Sequence, residues 1–385
     1  MDDPATVRFV VGRRLLEVNV GQLPDLVARH ASRIAAMPAR IPLLLDVDTG
    51  IDDSLALMYA CASPEVELVA VTCIGGNVNA RRVAENTRAV LELVGRDDVP
   101  VALGREQPLV KPLETSTETH GPRGLGYAEL PPARRALEHD EAASWIVDVA
   151  RARPGEVTLV TLGPLTNVAV ALDREPSLPN LLAGWVLMGG AYRAPGNTTP
   201  TSEWNIHVDP HAAKAVFAAW GRRSNQLPLA MGLDVTERAR FVPEHLRHLA
   251  VRAGVQPLDA AALGREPVES VGSVAANPVL RFVVDALRFY FEFHARYDGF
   301  YGAFIHDPFA VAAALEPTLV RAQPVFVDVE TGSGLAHGMT VADWRGLTQR
   351  PANLDVAVEA DADGFIDRFI ERVGNLAASR AGVAR

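Results

Sequence analysis

Four aspartates, Asp46, Asp48, Asp52 and Asp53, fall within eight residues, directly after the apolar run Ile41–Leu45. Like charges this close repel one another unless something holds them. One chemistry that uses such spacing is phosphoryl transfer to a strand-end Asp. A second is a calcium loop between two helices. A third is a hard divalent cation held at a strand end, where it can activate water. Plain helix capping by acidic residues is the reading without chemistry.

The residues between the aspartates separate these. A phosphatase of the haloacid-dehalogenase type reads Asp-x-Asp-x-Thr. Here Gly50 stands at the fifth position and Thr49 comes one place early. A helix–loop–helix calcium loop counted from Asp46 needs Gly and Glu at its sixth and twelfth positions, where Ile51 and Leu57 stand. Capping accounts for Asp52 and Asp53 in a first helical turn, but not for Asp46 and Asp48 crowding a strand end. What remains is a divalent cation site. With no Cys or His cluster nearby, the donors favour Ca²⁺ or Mg²⁺, and a loop offering several oxygens suits Ca²⁺ better.

The elements that must position these groups alternate. IPLLLDVD, VELVAVTCIGGN, VPVALG, VTLVTLG, LAGWVLMGG and LPLAMGLDVT read as buried strands. IDDSLALMYACAS, ARRVAENTRAVLELVG, 141–153, a segment beginning at 164–172, and 208–220 read as helices between them. Continuous apolar strands alternating with amphipathic helices predict an α/β, Rossmann-like fold, a mostly parallel sheet with helices on both faces. Ligands then bind at the carboxyl ends of the strands. Those ends carry Asp46–Asp48, Gly75-Gly76-Asn77, Leu162-Gly163-Pro164 and Met188-Gly189-Gly190. Residues 1–40 read as a separate extension, a hairpin around Gly12 and a helix over 22–37, suited to packing or to an oligomer contact, ahead of one domain over 41–385. Residues 253–280 are loop-rich and weakly patterned.

Composition narrows the partners. The net charge of −10 argues against a nucleic-acid backbone or an anionic membrane, both of which need basic patches. Cys61 and Cys73 fall in a helix and a strand and read as buried free thiols. Met-Asp-Asp-Pro is followed by no basic and apolar leader, and no apolar run reaches membrane length, so a soluble cytoplasmic protein is expected.

DVDTGIDD resembles the signature of the inosine-uridine-preferring nucleoside hydrolases, Asp-x-Asp-x-Gly-x-Asp-Asp. GGN at 75–77, LGPLTN at 162–167, VLMGG at 186–190, GNTTPTSEWN at 196–205 and IHDP at 305–308 follow in the family's order, so the resemblance covers about residues 41–375. It implies a Ca²⁺-dependent enzyme that hydrolyses the N-glycosidic bond of ribonucleosides to ribose and free base. Asp48, Asp53, the carbonyl of Leu162 and Asp307 would bind the calcium. Asp52 would be the general base acting on a calcium-bound water, with Asp46 supporting beside the metal. Asn77 would support the base and the ribose end; Asn197, Glu203 and Asn205 would hold the ribose hydroxyls, with Met188 packing against the sugar. His306 would stand near the leaving base, and His120, in THGPRGLG, would lie on a mobile loop over the site.

In the family, aromatics from the region of Phe289–Tyr301 close on the base, which makes Tyr290, His294, Tyr297 and Tyr301 candidates for that contact. His306 places the chain nearer the non-specific or pyrimidine branches than the purine branch, which relies on tryptophan stacking. A homodimer or homotetramer is the family habit. The competing expectations are hydrolysis of another N-riboside, such as nicotinamide riboside or a modified nucleoside, and a riboside-binding protein without turnover. The extension over 1–40 and the long 253–280 segment depart from the family pattern.

Overall fold

The structure is a computed structural model and describes residues 6–11, 14–19, 40–223, 226–255, 274 and 276–381. The chain divides into two compact units, Met1–Arg40 and Ile41–Arg385. In the first, Thr6–Val11 pairs antiparallel with Arg14–Asn19. The helix predicted over 22–37 lies outside the described residues, as does most of the 253–280 segment.

The second unit is built on an eight-stranded sheet. Its strand order is Val320–Val325, Leu354–Ala360, Leu229–Met231, Gly184–Met188, Thr158–Thr161, Ile41–Val47, Val66–Cys73 and Val101–Leu103. All neighbours are parallel except the first pair, which is antiparallel. Leu43, Leu45 and Val47 join one core and Leu44 the core on the opposite face, which is why Ile41–Val47 is apolar without alternation. Each such fully buried side chain contributes roughly 1.5–3 kcal/mol relative to exposure.

Where the chain reverses direction across the sheet decides where a ligand can bind. From Ile41–Val47 it moves outward on one side to Val66–Cys73 and Val101–Leu103. It then returns to lay Thr158–Thr161 on the other side of Ile41–Val47. The two crossovers diverge at the carboxyl ends of Ile41–Val47 and Thr158–Thr161, which opens a crevice there. Asp48 and Leu162 stand at those ends, joined below by the Leu162 N–H donating to the Asp46 carbonyl at 2.8 Å.

The sequence reading placed LPLAMGLDVT in one strand. Only Leu229–Met231 is strand, and Leu233–Thr236 turns into a short helix. Asp234 explains the turn, since its carboxylate accepts from the backbone N–H groups of Tyr192, Arg193 and Ala194 and so pins the neighbouring strand end. Among the described residues, no helix is long and apolar enough to cross a membrane.

Candidate active site

The helix Ile51–Ala62 starts at Gly50, and Asp53 in its first turn accepts the Gly50 N–H at 2.9 Å. The helix is buried over Ile51–Ala60, so its amino terminus and the two first-turn carboxylates are buried with it. A second helix, His306–Leu315, packs against the first and brings Asp307 in its own first turn. Two helix amino termini thus point at one place, and Asp52, Asp53 and Asp307 place carboxylate oxygens within 4.8 Å of one another. Asp48 adjoins this trio. Its N–H donates to Asp53 Oδ1 at 3.1 Å, and its Oδ2 accepts the Asn77 N–H at 2.9 Å.

Burial and mutual repulsion push Asp48, Asp52 and Asp307 well above the usual carboxylate range, and burial raises Asp53 as well. A helix terminus offsets such charge by at most about 2 kcal/mol, whereas each buried carboxylate costs several kcal/mol. Among the described residues, no Lys or Arg is paired with any of the four; His120 Nδ1, 4.0 Å from Asp52 Oδ1, is the one basic group in range. Asp48 Oδ1 is buried with no hydrogen-bond partner. A cation fits the deficit: the donors are hard oxygens, an unspent one points inward, and nothing else neutralises the charge.

Asp46 sits just behind. Its Oδ1 accepts from Thr72 Oγ1 at 2.6 Å and from Asn167 Nδ2 at 2.8 Å, while burial pushes its carboxyl up to about 7. All five shifts have one sign. A carboxyl whose pKa rises on folding holds its proton more tightly in the folded state. Its stabilisation is complete below the unfolded value of 3.8 and lost as pH climbs through the folded value, about 7 for Asp46. Cation-stripped protein is therefore expected to melt at falling temperature from roughly pH 5 to 8, with added cation restoring it. Calorimetry of stripped and reloaded protein checks this, and a stripped protein that gains stability across that range contradicts it.

Glycine is required at two places by close approach. A Cβ on Gly76 would stand 2.2 Å from Asp48 Oδ2, and one on Gly50 would stand 2.6 Å from His120 Nδ1 and 2.8 Å from Asn77 Nδ2. Gly50→Ala is expected to displace both side chains, costing about 1–3 kcal/mol by overpacking and about tenfold or more in kcat/KM through misplacement. Thermal melts and steady-state kinetics check it; unchanged kinetics would contradict the packing described here.

The remaining predicted residues divide into those the structure gathers and those it does not. Asn77 is buried, donates from Nδ2 to Asp53 Oδ2 at 3.3 Å, and leaves its own Oδ1 without a partner. It is not a left-handed turn residue; Gln349 is the one described non-glycine with positive φ. Glu203 is buried, but its carboxylate caps the short helix Trp204–Val208, accepting from the Asn205 and Ile206 N–H groups and also from Gly190 N–H. Asn205 Nδ2 donates to the Leu162 carbonyl at 2.7 Å and the Met188 carbonyl at 3.1 Å, tying together two strand ends. Asn197 is not brought in: it is exposed on a turn, where its Oδ1 accepts the Trp204 N–H at 3.0 Å.

His120 is buried at the end of Thr117–His120, and its Nδ1 accepts the Ile51 N–H at 3.1 Å, so its proton sits on Nε2. His306 Nδ1 lies 2.8 Å from Thr236 Oγ1. Burial, with His294 nearby, pushes both histidines down to about 3. Of the four aromatic-region candidates, Tyr290 and His294 are buried here, with the Tyr290 ring 5.6 Å from that of His120. Tyr297 is instead exposed and bonds Glu118, and Tyr301 packs on Phe291. Thr236 went unread in the sequence, although its place in a predicted strand end marks it. Asn167 lies in LGPLTN, where its role in fixing Asp46 was not drawn.

The family model described as inosine-uridine preferring nucleoside hydrolase matches residues 43–367. The chain belongs to that family. Its members are N-glycosyl hydrolases, and so is this nucleoside hydrolase. It is 37% identical over 335 residues to the pyrimidine-specific ribonucleoside hydrolase RihA of Enterobacter sp. (strain 638), covering 86% of this chain and 97% of that one. The solved purine-preferring ribonucleoside hydrolase from Gardnerella vaginalis superposes with a TM-score of 0.77 at 31% identity, over 88% of this chain and 99% of the other. An inosine-guanosine nucleoside hydrolase superposes with a TM-score of 0.73 at 28% identity, over 86% and 98%.

Proposed function

We propose that this nucleoside hydrolase cleaves pyrimidine ribonucleosides to ribose and free base at the carboxylate cluster, with Ca²⁺ as its cation. The observation that carries the reading is the group of buried carboxylates at the sheet's switch point, paired with no Lys or Arg among the described residues, with one oxygen of Asp48 unspent. Asp48, Asp53, Asp307 and the Leu162 carbonyl would hold the ion. When bound, it orients the attacking water and lowers its pKa.

The chain's own groups do the rest. Asp52, 5% exposed where Asp48 and Asp53 are 0%, is the most open carboxylate of the strand-end run and takes the proton from the attacking water. Departure of the base leaves an oxocarbenium-like ribose, which the surrounding carboxylates stabilise. Asn77 offers its unpartnered Oδ1 to a sugar hydroxyl. Asn205 offers Oδ1, which none of its bonds to Leu162 and Met188 uses, while Met188 packs against the sugar and Glu203 fixes the segment that carries Asn205. His306 and His120 face the base as neutral rings.

A second reading exchanges two roles. The backbone N–H groups of Asp53 and Asp307 lie against the Asp52 carboxylate, and Asp52 belongs to the close trio. Asp48 Oδ1 has no such partner. On that ground Asp48 takes the proton and Asp52 serves the ion or a ribose hydroxyl.

Pyrimidine preference is supported by the RihA relative and by the ring neighbours of His120, His294 and His306, which among the described residues are tyrosine and phenylalanine and not tryptophan. The test is kcat/KM for uridine, cytidine, inosine and nicotinamide riboside. Uridine and cytidine are expected at least about tenfold above the others, a difference of about 1.4 kcal/mol. Inosine fastest would overturn the preference, and turnover of nicotinamide riboside alone would replace it with the other N-riboside. A cytoplasmic homodimer or homotetramer completes the proposal.

A further inference from the structure

Three histidines converge beside the carboxylates, and His294 differs from the other two. It is 4% exposed, its Nδ1 lies 2.7 Å from Asp298 Oδ2, and its Nε2 is buried with no hydrogen-bond partner. A carboxylate only accepts, so Nδ1 carries a proton and Nε2 is the atom left to act. His120 is arranged otherwise: its Nδ1 accepts the Ile51 N–H, and a second proton there would break that bond. His306 Nδ1 meets a hydroxyl rather than a carboxylate. Thus His294 is the one ring of the three whose doubly protonated form has a bonded counter-charge.

Its surroundings suit a planar ligand. Tyr290 lies 4.7 Å away between ring centroids, Phe304 4.9 Å and Phe300 5.6 Å. The same Phe304 ring is 5.8 Å from His306, and the Tyr290 ring is 5.6 Å from His120. His294 therefore shares its walls with both other histidines. An orphaned buried nitrogen costs about 1–3 kcal/mol, which a ligand atom bonding there would recover.

We propose that His294, oriented by Asp298, meets the leaving base and protonates it from Nε2 as the C1′–N bond breaks. The bond's electron pair departs on the base, at the ring nitrogen or, by conjugation, at a carbonyl oxygen. The Nε2 proton transfers to that atom. The imidazole is left neutral, with its remaining proton on Nδ1 facing Asp298. Water supplies the new C1′–OH and gives its other proton to the aspartate base; solvent takes that proton and returns one to His294. Riboside and water become ribose and free base with no other reactant. This role rests on the hydrolase reading above and assigns the leaving-group proton to His294 instead of His306.

The test compares uridine with 4-nitrophenyl β-D-ribofuranoside, whose nitrophenolate leaves without a proton. His294→Phe is expected to lower kcat on uridine about 10²–10³-fold while changing the nitrophenyl riboside by no more than about threefold, the signature of a lost general acid. Asp298→Asn keeps the ring and its hydrogen-bond acceptor, and is expected to show the same split with about a tenfold loss on uridine. Equal losses on both substrates in these variants, or no loss on uridine, would overturn the assignment. So would the split appearing in His306→Phe and not in Asp298→Asn. If His294→Phe melts below assay temperature, His294→Gln and Asp298→Asn carry the same comparison. Failure of wild-type enzyme to cleave either uridine or the nitrophenyl riboside would sink the hydrolase reading itself, whereas a wild type that cleaves uridine with His294→Phe equally active on it would overturn only the His294 assignment, so the two failures are distinguishable.

Discussion

Asp53→Ala is expected to leave the protein without stoichiometric calcium and to lower kcat by about 10³-fold or more, as several kcal/mol of transition-state charge stabilisation are lost at about 1.4 kcal/mol per factor of ten. Asp53 is the centre of the cluster. It receives the Asp48 N–H at 3.1 Å, the Gly50 N–H at 2.9 Å and Asn77 Nδ2 at 3.3 Å, and it contacts Asp48 and Asp307 directly. Alanine strands those donors, each at about 1–3 kcal/mol, so Asp53→Asn is the cleaner partner variant. It keeps an acceptor oxygen and removes one charge. In the stripped state Asn is expected to be at least as stable as wild type, because a like charge has gone. With calcium the order reverses, because wild type alone gains full binding stabilisation. Elemental analysis and paired melts read both effects. One calcium per chain in Asp53→Ala would refute the ligand assignment.

The second large effect separates Asp48 from Asp52. Loss of the base lowers kcat about 10²–10⁴-fold while KM and bound calcium stay close to wild type. Asp52→Asn is expected to behave this way, and Asp48→Asn to lose calcium. The opposite pattern establishes the exchanged reading, in which the unpartnered Asp48 Oδ1 takes the proton. If both variants keep kcat within about tenfold of wild type, no aspartate of the run is the base and the mechanism fails.

Much of this site is written locally. DVDTGIDD contains both the strand end and the buried helix start, so Asp46, Asp48, Asp52 and Asp53 could be placed together from sequence. Gly50 and Gly76 were legible as a turn glycine and a strand-end glycine, but not that His120 and Asn77 fill the space beside the first and Asp48 the space beside the second. The strand Leu354–Ala360 was not read, because a sequence pattern does not say which distant strand it will join. It pairs with Leu229–Met231 on one side and antiparallel Val320–Val325 on the other.

Side-chain direction was also illegible. The sequence does not say that Glu203 gives its carboxylate to three backbone donors, or that Asn205 holds two strand-end carbonyls through Nδ2 and leaves Oδ1, the atom proposed for the ribose. His294 and Asp298 lie four residues apart, a spacing that on a helix brings side chains together. His120, His294 and His306 were each named from sequence, but neither Asp298 as the partner of His294 nor the meeting of the three rings was.

The most direct measurement is an assay of purified wild-type enzyme on uridine in phosphate-free buffer, with both products identified. The expected result is free uracil and free ribose in equal amounts, abolished by a chelator and restored by added calcium. Undiminished uracil release after the calcium has been stripped, or no release with calcium present, would contradict a cation-assisted ribonucleoside hydrolase built on Asp48, Asp52, Asp53 and Asp307.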